Sequence, residues 1–336
     1  MERKVALVLG ATGGIGSAVA RVLVSRGWEV RALHRNPAGV TARYGFDWRQ
    51  GDAMIASDVA AAAKGVSLIV HAVNPPGYRN WGTLVLPMID NTIAAARANG
   101  ATILLPGTVY NYGPDAFPTL TEDAPQHPRT RKGAIRVAME QRLRAFAETG
   151  TGRVLIVRAG DYFGPDAANT WFSQVVPEGK RPTAITYPGR RGVGHQWAYL
   201  PDVAETMMQL IETDGLDAFA TFHMEGIWDH DGTRMVDALC RVLGDPAVPV
   251  RRTPWWMMRL ASPFVPMLRE VTEMKYLWDQ PVRLTNAKLT AVLGSEPNTP
   301  LERAVRQTLT AMRCLAPAQV VDTGNMALAA ATGMGR

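Results

Sequence analysis
A chain of 336 residues, 47% hydrophobic and 20% charged, has the composition of a globular protein long enough for one large α/β domain and an appended lobe. Its 36 basic against 30 acidic residues leave a net charge of +6, which suits a phosphate-bearing ligand, but without a long Lys/Arg run or an aromatic-basic repeat nucleic acid is not an expected partner. Cys240 and Cys314 lie too far apart for a disulfide framework or a Cys-x-x-Cys site, and no stretch approaches the roughly eighteen uncharged apolar residues of a membrane span.

Met-Glu-Arg-Lys leads straight into Val5–Leu9 with no apolar leader, so a cytoplasmic protein without a membrane role is expected. Val5–Leu9 is a continuous apolar run and reads as a buried parallel strand. Gly10-Ala-Thr12-Gly13-Gly14-Ile15-Gly16 follows as a tight turn, and residues 17–26 read as a helix with one apolar face. Strand, glycine turn and helix together form a dinucleotide-binding context. Gly10 permits the turn, Gly13 clears the approach of a pyrophosphate, and Gly16 lets helix and strand pack closely. The helix start offers unpaired N–H groups to the phosphates, so Gly10, Thr12, Gly13, Gly14, Ile15 and Gly16 are assigned to cofactor binding.

Residues 28–34 read as the second strand, ending in His34-Arg35 where a site for NAD usually carries an acidic residue on the ribose 2′-OH. A cation there favours a 2′-phosphate, which points to NADP rather than NAD. A short third strand covers 46–50, with Gly51-Asp52 after it, and an Ala-rich helix spans 53–63. The fourth strand, 66–70, ends in His71-Ala72-Val73-Asn74-Pro75-Pro76-Gly77-Tyr78, and this end of a doubly wound sheet borders the ligand crevice. Ala72, Val73 and Asn74 are therefore placed on the cofactor, with Trp81 close by. A long helix covers 83–99 and a fifth strand 102–105, running into Pro106-Gly107-Thr108-Val109-Tyr110-Asn111-Tyr112-Gly113. A helix over 130–149 and a strand over 153–158 complete the first half, so residues 1–160 form the nucleotide-binding domain.

This arrangement resembles the extended short-chain dehydrogenase/reductases, the branch that includes the nucleotide-sugar epimerases and dehydratases. The resemblance runs from the glycine turn to about residue 312. It implies a Rossmann-type α/β fold, a doubly wound parallel sheet with a smaller C-terminal substrate lobe, and a nicotinamide cofactor. Asp52 stands where the family's adenine-contacting aspartate follows the third strand, and His71-Ala72 matches its pattern after the fourth. Arg158-Ala-Gly-Asp-Tyr-Phe-Gly164-Pro165 resembles the family's segment that enters the substrate region, and Gln196-Trp-Ala-Tyr-Leu-Pro-Asp202-Val-Ala204 the one that precedes a helix in the substrate lobe.

The family's active site joins a Ser or Thr after the fifth strand to Tyr-x-x-x-Lys on the next helix, with a glutamate four residues further on. Thr108 fits the first position. Alignment on Glu140 puts Lys132 at the Tyr position and Arg136 at the Lys position, so both key residues are replaced. The resemblance then implies Thr108 as the group that orients a substrate oxygen, Lys132 as acid or base, and Arg136 as the holder of the nicotinamide ribose. An arginine, permanently charged, relays no proton. Tyr110 is a secondary candidate for the missing phenol, with Tyr112 beside it. Arg129, Arg131, Lys132 and Arg136 crowd a helix start, where the dipole disfavours cations, so an anion is expected there: the cofactor or an acidic group on a small substrate.

The second half, 161–315, is read as the substrate lobe with some elements returning to the main sheet, and 316–336 as a flexible tail. Asp202 opens a helix through Glu212, residues 219–224 form a strand, and Asp231-Gly-Thr233 starts a helix through Leu243. His223, Glu225, Asp229, His230 and Asp231 match no zinc spacing, so no metal is expected. Residues 253–278 carry three tryptophans and four methionines. They read as the packed interior of the lobe, with a lid or a docking surface as the alternatives, and Pro263 and Pro266 argue against one long membrane-surface helix. The expected activity is NADP-dependent hydride transfer to or from a carbonyl, carbinol or enone carbon. A silent protein that senses NADP(H) and a nucleotide-sugar epimerase or dehydratase are the competing readings, and family members commonly pair as homodimers.

Overall fold
The computed structural model of the chain describes residues 4–40, 45–75, 80–167 and 170–316. The first half alternates strand and helix: β1 (Val5–Leu9), α1 (Gly14–Ser25), β2 (Glu29–His34), β3 (Asp47–Gln50), α2 (Ala56–Ala62), β4 (Leu68–His71), α3 (Trp81–Asn99), β5 (Thr102–Gly107), β6 (Thr119–Leu120), α4 (Arg131–Glu148) and β7 (Val154–Arg158). The second half follows with β8 (Asp161–Phe163), α5 (Trp171–Val175), β9 (Ile185–Tyr187), β10 (His195–Tyr199), α6 (Leu200–Glu212), β11 (Phe219–His223), β12 (Ile227–Asp229) and α7 (Arg234–Leu243). Then come β13 (Val250–Arg252), α8 (Trp255–Ala261), α9 (Pro266–Thr272), α10 (Tyr276–Asp279), β14 (Arg283–Leu284), α11 (Ala287–Leu293) and α12 (Leu301–Ala311).

Seven parallel strands form the main sheet in the order β11-β7-β5-β4-β1-β2-β3. The chain runs outward from β1 to β3 and then returns to β4 on the other side of β1. The order reverses between β1 and β4, and a crevice opens at their carboxyl ends. Every residue of β1, β4 and β7 is buried, as strands covered on both faces require. α1 and α6 cover one face, meeting Val8, Val30 and Val157. α2, α3 and α4 cover the other, where Ile135, Met139, Leu143 and Phe146 lie against Leu7, Ile103 and Ile156. A third apolar cluster joins β8–β10 to α7 and α12, and a small fourth lies under the loop after β5.

α1 begins at Gly14, three residues before the expected start, because Gly13 already holds the extended N-cap conformation. α6 begins at Leu200 with Pro201 in its first turn, so Asp202 lies inside the helix and its carboxylate accepts from the N–H and hydroxyl of Thr299 at 2.7 Å each. α7 is held at its start by Asp229, whose carboxylate accepts from the N–H groups of Arg234 and Met235. The reading of 253–278 as lobe interior holds for Trp255, Met274 and Trp278, which turn inward. It fails for Trp256, Met257, Leu260, Phe264 and Met267, which are exposed. No helix among the described residues is long and apolar enough to cross a membrane.

Candidate active site
A cavity of about 580 Å³ occupies the crevice. Thr12, Gly13, Gly14 and Ile15 line one end, and Arg35 and Asp52 flank it at the ends of β2 and β3. Ala72, Val73 and Asn74 form the wall beside β4, and Tyr110, Tyr162 and Trp171 close the other end. This size lies within the range of small-molecule sites. A smaller depression of about 230 Å³ near Lys4, Ser67 and Thr102 lies at the opposite, amino ends of the strands, with no glycine turn beside it.

The turn is built to admit phosphate. Gly10 adopts φ +88°, and a Cβ there would lie 2.5 Å from the Ala72 carbonyl oxygen. A Cβ on Gly16 would lie 2.2 Å from the Gly10 carbonyl oxygen, so Gly16 sits behind the turn and fixes the closeness of helix and strand. α1 has neither a capping side chain nor an acidic residue in its first turn. Its leading N–H groups face the cavity and fit a pyrophosphate. Arg35 is exposed at the rim with no ion-pair or hydrogen-bond partner among the described residues. Asp52 is oriented by the Met54 N–H, which donates to its Oδ1 at 3.0 Å.

The other expected site residues are divided. Lys132, Arg136 and Glu140 recur every fourth residue on one buried stripe of α4. Arg136 donates to Asn74 Oδ1 at 2.9 Å and lies 5.1 Å from the Trp81 ring, which ties α4 to the wall after β4. Thr108 caps the turn Val109–Asn111, where its hydroxyl oxygen accepts from the Tyr110 N–H at 3.4 Å; Tyr110 lines the cavity and Thr108 does not. Tyr112 is fully buried, 3.2 Å from His223 Nε2, and burial first of all pushes its hydroxyl up to about 12. The loop residues Pro76-Gly77-Tyr78 lie outside the described residues.

Lys132 is only 2% exposed, and its ammonium meets the Glu270 and Glu273 carboxylates, at 2.6 Å for Glu273 Oε2. Glu273 also accepts from the Lys132 backbone N–H at 3.4 Å. The anion expected at this basic helix start is thus present within the chain itself. α4 carries no acidic residue in its own first turn, and Glu273 supplies one. Glu270 lines the cavity wall in front of Lys132. Glu140 pairs with Arg158, both buried.

Two residues not expected from the sequence complete the site. Tyr162 lines the cavity, and its buried hydroxyl has no hydrogen-bond partner among the described residues. Burial raises its pKa and keeps the phenol protonated, with Arg136 pulling the other way. Its place immediately after Asp161, in a strand ending at Gly164-Pro165, was the available signal. Trp171 stands at the same end, 5.3 Å from Trp278. His71 lies beneath the crevice floor. Thr92 donates to the Met88 carbonyl and accepts from His71 Nδ1, and burial, then Arg136, lowers His71 to about 3. Among the described residues no group of three or more His, Cys, Asp or Glu could hold a metal ion.

No curated protein matches the chain significantly. Solved structures match throughout: a putative epimerase from Burkholderia cenocepacia J2315 at 20% identity and TM-score 0.73, covering 94% of this chain and 99% of that one. A UDP-glucuronic acid 4-epimerase from Bacillus cereus, in complex with NAD, matches at 14% identity and TM-score 0.73 over the same shares. A UDP-glucose 4-epimerase from Thermotoga maritima, with UDP-glucose, matches at 16% identity and TM-score 0.72, covering 92% and 98%. At these identities the likeness establishes the fold. A sequence model described as NAD dependent epimerase/dehydratase family matches residues 6–220. The chain belongs to the NAD dependent epimerase/dehydratase family.

Proposed function
We propose that this chain is a cytoplasmic NADP(H)-dependent oxidoreductase acting on the carbonyl, carbinol or enone carbon of a small substrate. One observation carries the reading: a single cavity joins the open start of α1 to Arg35 and runs on to Tyr110 and Tyr162. The N–H groups of the 12–15 turn hold the pyrophosphate, Arg35 meets the 2′-phosphate, Asp52 borders the adenine, and Ala72–Asn74 form the wall. When bound, the nicotinamide gives or takes the hydride.

The chain's own work is to place the substrate oxygen and handle its proton. Thr108 is assigned to orientation through the turn it caps, and Arg136 to the ribose side through Asn74. Lys132 is assigned as the acid or base of α4, behind Glu270, which stands between its ammonium and the cavity. Tyr162 lines the cavity with its hydroxyl buried at the wall and is the second proton-handling group. An NAD-retaining nucleotide-sugar epimerase or dehydratase is the second reading, favoured by the family match.

Titration with NADPH, NADP, NADH and NAD separates them. Tight binding of the phosphorylated pair, lost in Arg35→Ala, is the expected result; a preference for NAD favours the second reading. Once a substrate is found, Lys132→Met and Tyr162→Phe are compared for turnover. Full activity in both variants removes both assignments.

A further inference from the structure
Ten large apolar residues stand out as exposed among the described residues, and six of them, Trp256, Met257, Leu260, Phe264, Val265 and Met267, fall within twelve consecutive positions. Phe264, at the turn between α8 and α9, is 85% exposed, and Leu260 and Trp256 are 69% and 68% exposed. Isolated exposed apolar residues are ordinary, but a contiguous cluster marks an interaction surface. The inner side of the same hairpin is already committed. The Trp255 indole N–H donates to the Pro188 carbonyl at 2.8 Å, and Val271 and Met274 line the cavity. The outer side is the unpartnered one.

Charge identifies the occupant. From Val250 to Arg269 the ionisable side chains are Arg251, Arg252, Arg259 and Arg269, all exposed and without an ion-pair partner among the described residues. The next residue, Glu270, is turned inward onto Lys132. Four cations around an apolar tip with Trp and Phe make the pattern of a segment that lies in a lipid interface, its apolar side below the headgroups and its cations among them. A protein partner would have to match each arginine with a placed carboxylate; anionic headgroups meet all four in any rotation of the hairpin. The two prolines that exclude one long interfacial helix instead give two short helices with a protruding tip.

We propose that the α8–α9 hairpin docks this protein on the surface of an anionic bilayer. Trp256, Leu260 and Phe264 enter below the headgroups, and Arg251, Arg252, Arg259 and Arg269 contact their phosphates. Met267 is both half-exposed on this face and part of the cavity wall, so docking brings the cavity mouth to the lipid. The inference is independent of the cofactor and of the reaction.

The test is co-sedimentation of the full chain with vesicles of phosphatidylcholine alone or mixed with phosphatidylglycerol. Binding at least about tenfold tighter to the anionic vesicles, weakened by added salt, is expected. The double variant L260D/F264D loses it while its melting temperature is unchanged, and V24D, another exposed apolar position, keeps it. No binding to anionic vesicles, or binding unchanged in L260D/F264D, overturns the proposal. A dimer in sedimentation analysis that L260D/F264D converts to monomer, without vesicle binding by the parent chain, also overturns it and assigns the face to a second copy.

Discussion
Arg35 is the residue whose reading rests on the fewest contacts, and its test is the most direct. A charge-assisted contact with a 2′-phosphate is worth about 1.5–3 kcal/mol, so Arg35→Ala should weaken NADPH binding by roughly ten- to a hundredfold. NADH binding should stay within about twofold, since no other phosphate contact changes. His71 and His223 set the pH response. Each is buried and held at about 3, by burial first and then by Arg136 for His71 and Arg158 for His223. Both stay neutral in the folded state, while the unfolded chain takes up a proton near pH 6.5. Stability is therefore complete above that pH and falls as the pH drops from there towards 3, by roughly 2 kcal/mol per histidine at pH 5. Melting curves at pH 7.5 and 5 check it, and His223→Gln should reduce the loss by about half. The glycine-turn end of the cavity was legible because Gly10 to Gly16 is local: turn, strand and helix lie within twenty-one residues. Glu270 and Glu273 were not legible, because more than 130 residues separate them from Lys132 and nothing in a helix start names its distant counter-ion.

At the scale of elements, α4 carries the stripe that holds the site. Its start is fixed by the Thr130 hydroxyl, whose oxygen accepts from the Gly133 N–H at 3.0 Å, and by Glu273. Further along, Glu140 binds Arg158 of β7 away from water. Removing one member of a buried pair leaves the other uncompensated, so Glu140→Ala should cost about 3–5 kcal/mol in urea denaturation. The double variant E140L/R158M should recover much of that loss. The strands and helices of the first half were readable from continuous apolar runs and helical periodicity, with ends displaced by a few residues where a cap or an Asx turn decides. The Asp52–Met54 turn delays α2 to Ala56 in this way. α8 and α9 were misread because tryptophan and methionine have the same hydrophobicity whichever way they face, and only the packed inner side shows which residues are left outside.

At the scale of the whole molecule, the segment after α8 packs back on the first half of the chain, and the Lys132 ion pairs join the two beside the β6–β14 pairing and the Tyr276–Tyr112 hydrogen bond. Glu270 and Glu273 are partly solvent-accessible while Lys132 is buried, so neutralising the carboxylates weakens the closure without cutting a core. E270Q/E273Q should increase hydrogen exchange and protease cleavage across residues 255–275 and leave β1–β5 protected as before. Unchanged protection across 255–275 would show that packing by Met274 and Tyr276 holds the segment by itself. Trp171 stands on the cavity wall, 5.9 Å from Trp255 and 5.3 Å from Trp278, with His195 stacked on Trp278 at 3.6 Å. Indole emission overlaps the absorption of reduced nicotinamide and not that of the oxidised form. With the proposed cofactor bound, this row of rings should make the protein its own optical reporter: energy absorbed by Trp255, Trp278 and Trp171 should pass to a reduced nicotinamide in the cavity and leave as its blue fluorescence.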